Sequence, residues 1–141
     1  MNSFRELRVW QAAMNLVENV YCLTRIFPKQ ETYGLVSQIQ RAAVSIPSNI
    51  AEGHTQEHLK EYLHHLSMAQ ASLAELETQL EISGRLKYLL SNQLKELLGE
   101  VNSLGRQMRT PKFADQKVVC WHLAPDTRHP TPDTLLCVPL S

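Results

Sequence analysis

Apolar side chains recur at steps of three and four through the first part of the chain, the spacing that lines one face of a helix. The first run is Phe4, Leu7, Trp10, Met14, Val17, Val20, Tyr21 and Phe27, with Arg5, Glu6, Gln11, Asn15 and Glu18 mostly between them. It predicts a helix from about Phe4 to Phe27. Pro28 stops it, because its ring cannot follow a helical carbonyl ladder. A second run, Leu35, Ile39, Ala42 or Ala43, Ile46 and Ile50, predicts a helix that begins near Lys29 to Thr32. Pro47 interrupts it at a cost of about 3 kcal/mol. The stripe stays in phase to Ile50, so a kink at Pro47 is expected rather than a stop near Ser45. Gly53 is expected to end this helix as a permissive C-cap.

The third run has a stricter period. Leu59, Leu66, Leu73 and Leu80 recur every seven residues, with Tyr62, Ala69 and Leu76 at the second seam position. Thr55 is the expected N-cap, Glu57 suits the first turn, and Arg85 and Lys87 suit the other end. Gly84 weakens the last turn. The fourth run is Leu90, Leu94, Leu97, Val101, Leu104 and Met108, capped by Ser91 or Asn92 and ended by Thr110-Pro111. From Pro111 onward no period survives, and Pro125, Pro130, Pro132 and Pro139 crowd the sequence. Residues 111–141 are therefore expected to be a disordered, Pro-rich tail, with Val118-Val119-Cys120-Trp121 its one sticky segment.

Four helices with short links pack as antiparallel neighbours. Each buried leucine contributes about 1.5–3 kcal/mol, so packing outweighs any surface pair. The fold expected over residues 1–110 is an all-α antiparallel four-helix bundle with a kinked second helix. Trp10, Tyr33 and Tyr62 supply more large apolar surface than so small a bundle must bury, which predicts a homo-oligomer.

Composition narrows the function classes. At 141 residues the chain is about one domain, and 14 Lys+Arg balance 14 Asp+Glu. Neutral total charge gives no bulk argument for nucleic acid or membrane. No apolar run approaches the ~20 residues that span a bilayer, and the start, Met1-Asn2-Ser3-Phe4-Arg5-Glu6, lacks the apolar core of a secretory leader. The three cysteines, Cys22, Cys120 and Cys137, fit a reducing cytoplasm.

The charge is nevertheless segregated. Glu52, Glu57, Glu61, Glu75, Glu77 and Glu81 face Lys60 alone between Ala51 and Ser83. Arg85, Lys87, Lys95, Arg106, Arg109 and Lys112 face only Glu96 and Glu100 between Gly84 and Lys112. The plainest reading is complementary pairing of neighbouring helices or subunits. The functional reading is a basic surface on the fourth helix, with Arg5, Arg8 and Arg41 nearby, that tracks phosphates. No interleaved aromatic run adds base stacking.

Chemistry-bearing clusters are sparse. His54, His58, His64 and His65 gather near the third helix, and His54 and His58 have the four-residue spacing of metal ligands, yet nothing completes a tetrahedral site. Cys120, His122, His129 and Cys137 match no structural zinc spacing. Glu52 has no partner for general-base work except His54. No phosphate loop or nucleophile–base pair is visible. The expectation is no enzyme, no cofactor, no metal and no small-molecule substrate.

One segment is distinctive: Arg41-Ala42-Ala43-Val44-Ser45-Ile46-Pro47-Ser48-Asn49-Ile50-Ala51-Glu52-Gly53. The kink at Pro47 frees backbone carbonyls that Arg41, Ser45 or Asn49 could satisfy, so Ser45, Pro47, Asn49, Glu52 and Gly53 read first as a structural motif. Around it stand Phe4-Arg5-Glu6-Leu7-Arg8-Val9-Trp10-Gln11, Phe27-Pro28-Lys29, Tyr33-Gly34-Leu35-Val36-Ser37-Gln38-Ile39 and Leu76-Glu77-Thr78-Gln79-Leu80. In that order and spacing, from Phe4 to about Met108, the chain resembles the four-helix-bundle proteins encoded in intervening sequences of the 23S ribosomal RNA gene. That family in turn resembles the accessory protein of diversity-generating retroelements. At the corner after Gly53 the family has an aromatic and then a basic residue, where this chain reads His54-Thr55-Gln56. The resemblance implies a ring-like homopentamer and an RNA- or DNA-binding accessory role. The phosphate-binding candidates are then Arg5, Arg8, Arg41, Arg85, Lys87, Lys95, Arg106 and Arg109. The alternative is a scaffold that recruits a protein such as a polymerase or reverse transcriptase.

Overall fold

A computed structural model describes residues 3–109, which are all helical apart from turns and links. Four α-helices follow one another: α1 (Arg8–Thr24), α2 (Leu35–Thr55), α3 (Leu59–Arg85) and α4 (Ser91–Arg109). Each packs on the next, and α4 closes back on α1. Neighbours run antiparallel, as paired positions show: Ser45 meets Ser72, Gly53 meets Tyr62, and Gly84 meets Leu94. The core is the inner stripe of all four helices, with Leu16, Val20, Ile39, Ile46, Leu76, Leu80, Leu97, Val101 and Leu104 sealed from solvent. The bundle read from periodicity is therefore the fold. The expectations for the segment after Thr110 lie outside the described residues.

The helix ends differ from the expected ones, for local reasons. Phe4–Glu6 is a 3-10 turn, and Leu7 is extended (φ −70°, ψ 123°), so α1 starts only at Arg8. The Phe4 ring folds back onto Trp10, edge to face at 5.4 Å. At the other end α1 tapers through three-residue bonds, Ile26 N–H to Leu23 O and Phe27 N–H to Thr24 O, before Pro28. Lys29–Glu31 is a separate 3-10 turn, not the start of α2. Helix α2 begins at Leu35, whose N–H is capped by Glu31 Oε2 at 3.1 Å.

Pro47 sits inside α2 without ending it. Ser48 Oγ donates to Val44 O (2.9 Å) and Asn49 Nδ2 donates to Ser45 O (2.9 Å), so side chains serve carbonyls on the turn the proline disturbs. Gly53 is not a C-cap. It is buried within α2, where an added Cβ would lie 3.0 Å from His65 Cβ, so its role is close approach of α3. Thr55 closes α2, donating to Glu52 O at 2.8 Å, and is not the N-cap of α3. That position falls to His58, so Glu57 precedes the helix and Glu61 occupies its first turn. Leu59 opens the heptad series exposed rather than in the core, whereas Tyr62 is buried within the subunit and needs no second copy to cover it.

The end of α3 holds the one left-handed non-glycine residue among those described, Lys87 (φ 61°). Lys87 N–H reaches Gly84 O and Tyr88 N–H reaches Ser83 O, both at 3.0 Å, a helix stop at which glycine normally takes the left-handed place. A lysine there costs about 1–2 kcal/mol. Gly84 lies inside α3, where a Cβ would fall 2.5 Å from Leu94 Cδ2 and so crowd α4. The link returns to α4 through Gln93, whose Oε1 accepts from Leu90 N–H at 3.0 Å. This replaces the expected cap by Ser91 or Asn92.

Candidate functional site

The distinctive segment of α2 builds a polar seam against α3. Asn49, 6% exposed, spends its Nδ2 on Ser45 O (2.9 Å) and Ser45 Oγ (3.1 Å). The first partner can only accept, which fixes the amide and turns Asn49 Oδ1 toward His65 Nδ1 at 3.2 Å. His65 Nδ1 must then carry the hydrogen, leaving Nε2 as the lone-pair nitrogen of the neutral ring. Glu52 Oε2 lies 3.4 Å from the same Nδ1, and Ser45 Oγ bonds Ser72 Oγ at 2.8 Å.

These contacts follow a register. On α3, His65, Ser72 and Gln79 are seven apart; on α2, Gln38, Ser45 and Glu52 are seven apart. Antiparallel pairing brings Glu52 to His65 and Ser45 to Ser72, and puts Gln38 level with Gln79. The third pair is not joined: Gln79 Nε2 donates to Glu75 Oε1 instead, and Gln79 Oε1 is buried without a partner among the described residues. Of the groups expected to satisfy a carbonyl freed at Pro47, Asn49 bonds Ser45 O, whereas the carbonyl deprived of its N–H partner is Ala43 O. Arg41 turns away, donating to Ser37 Oγ at 3.3 Å. The bonds of the seam join α2 to α3. Sequence reading missed Ser72 and placed His65 only in a histidine cluster, not in this seam. Their seven-residue spacing on the flank of the leucine heptad was the available signal.

The basic candidates fall into two groups at opposite ends of the bundle. Arg5, Arg8, Arg106 and Arg109 stand where α1 begins and α4 ends; Arg85, Lys87 and Lys95 stand where α3 ends and α4 begins. The ends of α4 are about 28 Å apart, and Lys95 and Arg106 on it about 16 Å apart. Arg41 is on α2, diagonal to α4. Arg5 lies in the 3-10 turn that packs on α1 and α2, so of Arg5, Arg8 and Arg41 only Arg8 is carried by an element packed on α4. All eight are exposed. Among the described residues none forms an ion pair with a carboxylate.

Several cations have a local explanation. Arg5 lies over the Phe4 ring at 4.7 Å, Arg109 Nε donates to Gly105 O at 3.2 Å, and Arg85 and Arg106 sit at helix C-terminal ends that favour positive charge. Arg8 has none, because it occupies the first residue of α1, where the helix dipole opposes it. Lys95 stands on the outward face of α4 in line with Asn102 and Arg106, and between them Gly99 leaves open space. No large apolar side chain is exposed on α4 itself.

The described histidines are spread over two helices and the turn between them. His54 belongs to α2 and His58 to the turn before α3, so their four-residue spacing does not place them on one helix. His64 and His65 meet edge to face, ring centres 5.9 Å apart. No group of three or more metal-binding side chains forms among the described residues, and the Cys120–Cys137 set lies outside them. No helix among the described residues is long and apolar enough to cross a membrane.

Comparison with known proteins agrees with the resemblance in the motifs. A crystal structure of a protein of unknown function from the S23 ribosomal protein family of Bacteroides thetaiotaomicron superposes with a TM-score of 0.67 at 20% identity, over 71% of this chain and 94% of that one. At that identity it shows the shared fold. No curated protein matches the chain. The 23S rRNA-intervening sequence protein family matches residues 5–110, which is the whole bundle. The chain belongs to the 23S rRNA-intervening sequence protein family.

Proposed function

We propose that this protein is a non-enzymatic, homo-oligomeric bundle that binds structured RNA or DNA as an accessory factor. The observation that carries the reading is the set of exposed cations on α4 and at its ends, which find no carboxylate among the described residues. Arg8 and Lys95 stabilise nothing visible in the subunit, and a phosphate backbone is the partner their charge fits. A ring of copies would repeat a modest patch several times, so multivalency makes up for a neutral chain. Five copies, and a role like that of retroelement accessory proteins, come from the family likeness.

The test is mobility of RNA hairpin and duplex DNA probes at low salt with micromolar protein. Binding should weaken as salt rises, and neutralising Lys95, Arg106 and Arg109 should reduce the salt slope by about one per cation. Unshifted probes would overturn the reading. Light scattering should give a multiple of 16.1 kDa, and a single 16.1 kDa species would remove the oligomer.

A protein-recruiting scaffold is the second reading. Exposed Val44 on α2 and Leu63, Met68 and Ile82 on α3 favour it. Nuclease-resistant capture of a polymerase-type partner would support it over the first.

A further inference from the structure

The links α1–α2 and α3–α4 meet at one end of the bundle. Phe27 and Tyr88 pack ring on ring at 5.5 Å, and Tyr88 donates its hydroxyl to Glu31 Oε1 at 3.1 Å. The outside of this joint has an unusual composition. Tyr33, two residues after Glu31, is 95% exposed and has no ring partner among the described residues. Arg25, Lys29, Arg85 and Lys87 are exposed in or beside the same two links, and none of them makes an ion pair among the described residues. The carboxylate within the links, Glu31, is already engaged by two donors, Tyr88 O–H and Leu35 N–H. The next carboxylates are Glu81, one turn before Arg85, and Glu96, in the second turn of α4.

We propose that this loop end binds single-stranded nucleic acid, with Tyr33 stacking on an unpaired base and Lys29, Arg85 and Lys87 holding the flanking phosphates. It rests on the nucleic-acid reading above and assigns it a second, chemically different subsite. An aromatic face with cations beside it is the combination that grips single strands, because every base offers a π-face and every linkage a charge. A duplex hides its base faces, so Tyr33 has nothing to stack on there. Lys87 adds an independent sign. It holds a left-handed backbone that glycine would adopt without strain, yet the side chain at this corner is a cation. A lipid surface is the rival ligand, because Ile26, Leu86 and Leu90 are exposed at this end too; Tyr33 projects furthest of the four, which favours a base face as the first contact.

The experiment is fluorescence anisotropy of the full chain with a labelled oligo-U strand and, separately, an RNA hairpin with a short closed loop. Tyr33→Ala should weaken oligo-U binding by about tenfold, Tyr33→Phe should restore it, Tyr33→Leu should not, and hairpin affinity should stay unchanged. Lys87→Gly should raise thermal stability while lowering the oligo-U salt slope by about 0.7. Equal oligo-U affinity for Tyr33→Ala and wild type overturns the proposal. So does loss of binding to phosphatidylserine vesicles in Tyr33→Ala with oligo-U binding intact. A wild-type protein that binds the hairpin but not oligo-U defeats this inference alone, whereas one that binds neither defeats the nucleic-acid reading as a whole.

Discussion

Asn49 Oδ1 accepts from His65 Nδ1 at 3.2 Å, and the Asn49 amide, oriented by its bond to Ser45 O, thereby sets the tautomer across the α2–α3 seam. Asn49 is buried, so truncating it removes its bonds to Ser45 and to His65 Nδ1 from the α2–α3 seam. Losing a buried pair in this way costs about 2 kcal/mol. Asn49→Ala should therefore lower unfolding free energy by about 2 kcal/mol in urea. A double-mutant cycle with His65→Ala should return a coupling of about 1 kcal/mol. Strict additivity of the two changes would show that the bond contributes nothing.

Gln79 is the seam's unfinished position. Its residue is 6% exposed, and its Oε1 is buried with no partner among the described residues. An orphaned buried acceptor costs about 1–3 kcal/mol, while its amide bond to Glu75 contributes less because Glu75 is exposed. Gln79→Met keeps the volume and removes the orphan. It should stabilise the protein by about 1 kcal/mol, read as a higher urea midpoint at unchanged slope. A fall in the midpoint would mean that Gln79 Oε1 has a donor after all, with Gln38 the nearest in register.

The bundle was legible in the sequence because each stripe is long: a period kept over five or six positions survives local exceptions. Helix ends were less legible, since distant groups set them. Glu31 caps Leu35 from the preceding turn, and nothing about Lys29 to Thr32 alone reveals that the helix waits for Leu35. Gly53 looks like a stop signal in sequence, yet the tertiary need for close approach by His65 keeps it inside α2. The seam escaped notice because a polar row beside a leucine heptad reads equally well as a solvated face. For the candidate interface, residue types were readable but positions were not. Composition joins Arg41 to Arg8, whereas the topology sets α2 diagonal to α4. Of the rings expected to be surplus to the core, Tyr33 is 95% exposed whereas Tyr62 is buried, a difference that the residue type alone does not carry.

Stability should also fall at alkaline pH, through two tyrosines. Burial pushes the Tyr62 hydroxyl well above a free tyrosine's value near 10. Tyr88 is raised as well, first by its hydrogen bond to Glu31, then by burial and by the carboxylate's charge. Both groups keep their protons in the folded state after the unfolded chain has begun to lose its own. Their stabilisation is complete below pH 10.0 and is lost as pH rises through the higher folded values. For Tyr62 the loss approaches about 1.4 kcal/mol for each pH unit above that point. Lysines titrate in the same range, so the informative quantity is the difference between wild type and Tyr62→Phe. Phenylalanine cannot ionise, and urea melts from about pH 8 to about pH 11 should show a flatter decline for the variant, whatever its stability at neutral pH. Parallel curves for the two proteins would show that Tyr62 ionises as readily in the fold as in the free chain.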